Sequence, residues 1–190
     1  MKLFTPLYDK AIEWSKHPLA ERYLAGLSFA ESSFFPVPPD VVLMPMSLSQ
    51  PQKAMRFAWI TTLFSVLGGL FGYAMGYWGF EALYPWLVEL GYDHKIKQIQ
   101  DFFEDYGVWI VFIAGFSPIP YKLFTVTAGA AQMALLPFVV ASFVGRGLRF
   151  FLVAWLMKVG GERYEPKIRA SVDWIGWTLV AVAILYGLLR

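Results

Sequence analysis

Two apolar stretches of this chain, residues 24–48 and 107–133, are each long enough to cross a bilayer, and each is broken at its middle by prolines. Pro36-Val37-Pro38-Pro39 interrupts the first and Pro118-Ile119-Pro120 the second. Proline removes a backbone donor, clashes with the preceding turn and drives the residue before it out of helical geometry, so such clusters stop a helix. Each stretch reads as two half-helices. Open backbone at membrane depth survives only inside protein or against a water-filled cavity, which favours re-entrant hairpins over spans. The competing reading is a pair of kinked full spans.

The remaining sequence makes lipid the expected solvent. Of 190 residues, 57% are hydrophobic and only 16% charged, against roughly 25% charged in a soluble domain. A spanning helix needs about 20 mostly apolar residues to cover about 30 Å of hydrocarbon. Residues 57–80, 135–157 and 172–189 meet that requirement without interruption. The expected architecture is therefore all-α integral membrane: an N-terminal interfacial segment over residues 1–23, then one membrane domain over 24–190. In the interfacial segment Leu7, Ile12, Trp14, Leu19 and Tyr23 sit among charges, as in a helix lying along the surface, with Pro18 interrupting it. The absence of cysteine excludes a disulfide framework, a thiolate metal site or a catalytic thiol. A net charge of +2 gives no case for nucleic acid.

Lys and Arg accumulate in cytoplasmic loops. With two re-entrant hairpins, Lys2, Lys10, Lys16, Arg22, Lys53, Arg56, Lys158, Arg163, Lys167 and Arg169 share one side. The opposite side takes Lys95, Lys97, Arg190 and an acidic connector carrying Glu81, Glu89, Asp93, Asp101, Glu104 and Asp105. Full spans would weaken this bias, so the N-terminus is expected in the cytoplasm and the C-terminus outside. Trp78, Trp109, Trp155 and Trp174 lie near expected segment ends, where their rings suit the headgroup layer.

Shifting the chain against itself by about 82 residues sets Pro36 on Pro118, Pro38 on Pro120, Asp40 on Lys122 and Gly79 on Gly161. Each half becomes a broken hairpin followed by a spanning helix, and the halves enter from opposite sides. Inverted repeats whose broken helices meet near the midplane are a recurring plan of secondary transporters. Gly68, Gly72 and Gly76 repeat along one helix face, which reads first as close helix packing. Such a face serves contacts within one chain or between two, leaving a homo-oligomer open.

Glu31, Asp40, Lys122, Arg146 and Arg149 fall inside the expected membrane segments. At roughly 2.5 to 3.5 kcal/mol per charge at a helix centre, they must face one another or water. One reading is structural, with buried ion pairs locking hairpins to helices. The other is functional. A carboxyl in low dielectric holds its proton more tightly and can load and release it as access alternates, with Glu31 the best candidate and Asp40 beside it. Arginine offers a fork of donors matched to phosphate oxygens, so Arg146 and Arg149, with Lys122, are the candidate headgroup ligands. Half-helices starting after the proline breaks would aim positive dipole ends at the same place. No P-loop, HExxH zinc site or GxSxG elbow is present, so no enzymatic activity, metal or cofactor is expected.

Three segments in order, Glu31-Ser-Ser-Phe-Phe-Pro36-Val-Pro38-Pro39-Asp40, Phe116-Ser-Pro118-Ile-Pro120-Tyr121-Lys122 and Gly145-Arg146-Gly147-Leu-Arg149-Phe150, resemble the DedA family of bacterial membrane proteins. That family is also called VTT-domain or SNARE-associated, and the likeness is to its small YqaA-like branch, over about residues 24–161. The resemblance implies two facing re-entrant hairpins in the bacterial inner membrane. It also implies movement of lipids between leaflets: proton-dependent uptake of polyprenyl phosphate or flipping of phospholipid in bacteria, and scrambling in eukaryotic relatives. The family's essential acids carry over to Glu31 and Asp40, and its essential basic residues to Arg146 and Arg149. Better-studied members have a Gly-x-Arg arrangement at the second hairpin where this chain has Pro120-Tyr121-Lys122, a point charge without the bidentate fork. The expected partners are thus membrane lipids with a phosphate headgroup, and protons. Two rival classes are an ion-coupled carrier of a small soluble anion, with a cavity closed to lipid, and a non-transporting membrane-organising protein.

Overall fold

The computed structural model describes residue 17 and residues 19–33, 37–117 and 120–160. The expected helix over 172–189, most of the interfacial segment, Pro36 and Pro118 lie outside the described residues. Among the described residues six α-helices follow in order: α1 (Ala20–Ser33), α2 (Asp40–Ser49), α3 (Ala54–Glu89), α4 (Asp93–Phe116), α5 (Tyr121–Ala130) and α6 (Leu135–Gly160). A single 3₁₀ turn, Pro51–Lys53, joins α2 to α3. The helices stop where the proline clusters stand. Pro39 caps α2 from outside and Pro120 precedes α5, each supplying a fixed φ near −60° to start the new helix.

The chain reverses at the first break. At one end Arg56 meets Glu21 at 2.8 Å, and at the other Ser33 Oγ donates to the Gly68 carbonyl at 3.1 Å, so α1 runs parallel to the first half of α3. Helix α2 then returns, because Leu43 and Met46 share one buried cluster with Ala20, Leu24, Ala54, Phe57, Phe150 and Ala154. Helices α4 and α5 make the complementary reversal from the other end. Gly107 of α4 lies beside Met133, Gly115 beside Arg146, and α5 runs along α3 from Gly69, next to Tyr121, to Tyr73 and Tyr77, next to Gly129. Both tips stop at the level of Gly68 and Gly69, near the middle of α3. Helix α6 runs antiparallel to α3, touching Tyr73 through Phe138 near its start and the first hairpin's base through Phe150.

Helix lengths follow from the breaks. At 1.5 Å per residue, the 14 residues of α1 and the 10 each of α2 and α5 reach about 21 and 15 Å, short of the bilayer core, whereas the 36 residues of α3 reach about 54 Å. Three sequence boundaries shift accordingly. Residues 20–23 belong to α1 rather than to an interfacial segment. Helix α3 continues nine residues past Phe80, and the acidic connector is helix on both sides of a turn at residues 90–92, where Gly91 takes φ 76°. The apolar pattern marks where lipid begins and ends; Ala82, Leu83, Leu87 and their neighbours are good helix formers and carry the helix into water.

Along the middle of α3 the inward face is mostly small or polar and the outward face large and apolar. Thr61, Thr62, Ser65, Gly68, Gly69, Gly72 and Gly76 of α3 face inward, and Leu63, Leu67, Phe71, Met75 and Trp78 face outward. Inward hydroxyls return their protons to carbonyls one turn back, as Thr61 does to Phe57 and Thr62 to Ala58, each at 2.8 Å. That inversion of the soluble pattern suits helices whose backbones approach closely in lipid. A Cβ on Gly68 would strike the Phe29 carbonyl, one on Gly76 the Val126 carbonyl, and one on Gly129 the Tyr73 carbonyl. Accordingly, Gly76→Ala and Gly129→Ala are expected to lower stability by about 1 to 3 kcal/mol through forced separation of backbones. Gly26→Ala and Gly79→Ala, with open space around the new methyl, should leave the thermal midpoint of the detergent-purified protein unchanged or raise it.

Candidate functional site

Where the two tips meet, α6 inserts Arg146. The side chain is 3% exposed. Its Nη2 donates to Glu31 Oε2 of α1 at 2.5 Å and to Ser32 Oγ at 3.1 Å, and its Nε donates to Ser65 Oγ of α3 at 2.6 Å. Ser32 Oγ also lies 2.7 Å from Ser65 Oγ and 3.0 Å from Glu31 Oε2, which closes the ring of polar atoms. The guanidinium carbon stands 4.8 Å from the Tyr121 ring centre and 4.7 Å from that of Phe150. Desolvated cation–π contacts of this kind contribute about 2 kcal/mol. Tyr121 is itself held by a 2.5 Å hydrogen bond from its hydroxyl to Ser142 Oγ. One residue of α6 thereby ties together α1, α3 and α5.

A second pair lies next to the first. Arg149, one turn along α6, donates from Nη2 to Asp40 Oδ2 at 2.7 Å; Asp40 opens α2 immediately after the first break. The spacing of three residues puts both arginines on one face of α6, where they meet acids on either side of the same break. This pair is less complete. Asp40 Oδ1 and Arg149 Nε are both buried without a hydrogen-bond partner. Lys122, one residue beyond Tyr121, is half-buried and forms no ion pair or side-chain hydrogen bond among the described residues. Four of the five intramembrane charges are therefore drawn into two adjacent acid–base pairs. No group of three or more metal-ligating side chains occurs among the described residues.

The sequence profile of the VTT domain matches residues 37–159. The chain belongs to the VTT-domain, or DedA, family. Together with two helices long and apolar enough to cross a bilayer, α6 and the span Pro51–Glu89, membership makes it a bacterial membrane protein. An uncharacterized protein of Haemophilus influenzae is 48% identical over 185 residues, covering 97% of this chain and 96% of the relative. A second, from Histophilus somni, is 43% identical over 185 residues and 97% of each chain. Undecaprenyl phosphate transporter A of Staphylococcus aureus is 28% identical over 97 residues, half of this chain and 48% of that protein. No solved structure matches the chain.

The matched VTT segment contains Asp40, Lys122, Arg146 and Arg149 but begins after Glu31 and Ser32. Helix α1 thus supplies the acid of the inner pair from outside that segment. Ser32, Ser65, Tyr121, Ser142 and Phe150 were not among the sequence candidates. A signal for one of them was present: four-residue steps from Gly69 toward the N-terminus of α3 run through Ser65 and Thr61. Tyr121 and Phe150 adjoin the candidate charges in sequence, yet only the fold turns their rings onto Arg146.

Removing one partner of a buried pair strands the other charge, at a cost of about 3 to 5 kcal/mol. Glu31→Gln or Arg146→Gln alone should therefore lower the denaturation midpoint in detergent strongly, and the double variant should recover part of the loss. An additive double variant would show that the two side chains are not coupled.

Proposed function

We propose that this protein moves a lipid bearing a phosphate headgroup, polyprenyl phosphate or phospholipid, between the leaflets of the bacterial inner membrane, coupled to protons and without covalent chemistry. The observation that carries this reading is the meeting of two opposed, proline-broken hairpins at one buried charge centre midway along α3. In this reading both hairpins are re-entrant. The arms of the first hairpin, about 21 and 15 Å, and α5 of the second, about 15 Å, fit a dip better than a crossing, while α4 reaches about 36 Å and includes part of the acidic connector. Asp40 and Tyr121 open matching ten-residue arms, and Ala54 and Leu135 open the long helices that follow at the same interval, in keeping with an inverted repeat. The excess of Lys and Arg at the base of the first hairpin puts the N-terminus in the cytoplasm.

The headgroup enters the polar seam between the hairpins while its tails stay in lipid. Arg149 and Lys122 receive phosphate oxygens, with Arg146 fixing the seam behind them. Glu31 and Asp40 take up and release protons, which loosens their grip on the arginines and lets the tips part. The partial relative that is an undecaprenyl phosphate transporter supports a lipid phosphate as cargo, and the apolar outer faces of α3 and α6 suit a route open to lipid.

The test is reconstitution of the full chain in liposomes, following headgroup-labelled lipid between leaflets with and without a pH gradient, beside trapped inorganic phosphate. Wild type should move lipid and retain the phosphate. Arg149→Ala should slow movement roughly ten-fold or more, the equivalent of at least one charged hydrogen bond, and Glu31→Gln should abolish the response to the gradient. Release of phosphate without lipid movement would instead indicate a soluble-anion carrier.

A further inference from the structure

The two arginines of α6 differ in what they leave unmade. Arg146 has Nε and Nη2 engaged and two aromatic ring centres 4.8 and 4.7 Å from its guanidinium carbon. Arg149 has a single bond, to Asp40 Oδ2, and its buried Nε lacks an acceptor. On the other member of that pair, buried Asp40 Oδ1 lacks a donor, although Asp40 is only 8% exposed. Native structures leave few buried polar atoms unpaired, so each calls for a partner such as a water or a bound polar group.

The two orphan atoms make opposite demands. A guanidinium Nε only donates and an ionised carboxylate only accepts. Because they belong to one ion pair, one bound group can serve both if it carries an acceptor and a donor close together. A phosphodiester with no donor nearby would satisfy Arg149 and leave Asp40 facing a like charge. We propose that Asp40 and Arg149 form the station that receives the headgroup, and that they select a cargo with a hydrogen-bond donor on or beside its phosphate.

The donor is either the P–OH of a phosphate monoester or the N–H or O–H of a headgroup esterified to the phosphate. Phosphatidylcholine has neither, since its nitrogen is fully methylated. The inner pair Arg146–Glu31 is then the fixed wall against which this exchange occurs. The inference rests on the lipid-transport reading above, and extends it to a rule of substrate choice.

Vesicles containing the full chain would be loaded with one acyl-chain-fluorescent lipid at a time: phosphatidylethanolamine with an N–H donor, phosphatidic acid with a P–OH donor, and phosphatidylcholine and phosphatidylmethanol with none. Either donor lipid should cross at least about ten-fold faster than the two donorless lipids, as expected for one hydrogen bond to a charged group. Which of the two crosses faster identifies the source of the donor. Asp40→Asn should bring the ratio close to one. Glu31→Gln and Arg149→Lys should slow all four lipids and leave the ratio standing, a distinction that general loss of folding would not produce.

A binding measurement separates this inference from the reading beneath it. Short-chain phosphatidylethanolamine should raise the melting temperature of the detergent-purified protein, and short-chain phosphatidylcholine should not. Movement of all four lipids at equal rates, or equal thermal shifts, would overturn donor selection while leaving transport intact. A selective thermal shift with no lipid movement would overturn transport and leave the station in place.

Discussion

A guanidinium removed from water must find its partners within the protein, and Arg146 finds them on three other helices. Ser65 comes from α3, Glu31 and Ser32 from α1, and the Tyr121 ring from α5, with the Phe150 ring of α6 itself packed against the same guanidinium. Each contact requires a hairpin tip to stop at the level of the arginine. Had α1 or α4 continued as a straight helix, Asp40 and Tyr121, which open the helices after the breaks, would have been carried past the two arginines. The proline breaks and the buried arginine are two sides of one constraint.

The same constraint explains why small residues line the inside of α3. Polar side chains in lipid can be satisfied only at short range, so the helices that carry them must approach closely. Glycine at 68, 72 and 76 permits that approach, with Phe29 and Val126 backbone lying where a side chain would stand. Along this stretch of α3 many bulky residues stand on the outer surface, where Leu63, Leu67, Phe71 and Met75 meet hydrocarbon, while the buried clusters around Phe57 and Phe138 flank the seam.

Much of this arrangement was legible in the sequence because its determinants are local. Proline acts on its own turn, so both breaks could be read from residues 36–39 and 118–120. Charges in apolar segments are conspicuous one by one, which identified Glu31, Asp40, Lys122, Arg146 and Arg149. Pairing was not legible, since nothing local states that Arg146 meets Glu31 while Arg149 meets Asp40, more than a hundred residues away in each case. Nor did the pattern assign Tyr121 and Ser142, an aromatic and a hydroxyl among many, to one hydrogen bond. Helix ends beyond the hydrocarbon were misjudged for a different reason: α3 and α4 continue to the turn at Gly91 on intrinsic helix preference, which hydropathy does not measure.

The contact of both hairpins with α3 through main chain has a mechanical consequence. Interdigitated leucines resist sliding because each must change rotamer to clear its neighbour. Carbonyls resting on Gly68 and Gly76 present no such teeth. A tip bearing on this seam meets few side-chain teeth, the Tyr121 ring at Gly69 and Thr125 at Gly72, so the detent is set chiefly by polar atoms: those around Arg146, the Ser33–Gly68 bond and the Arg149–Asp40 pair.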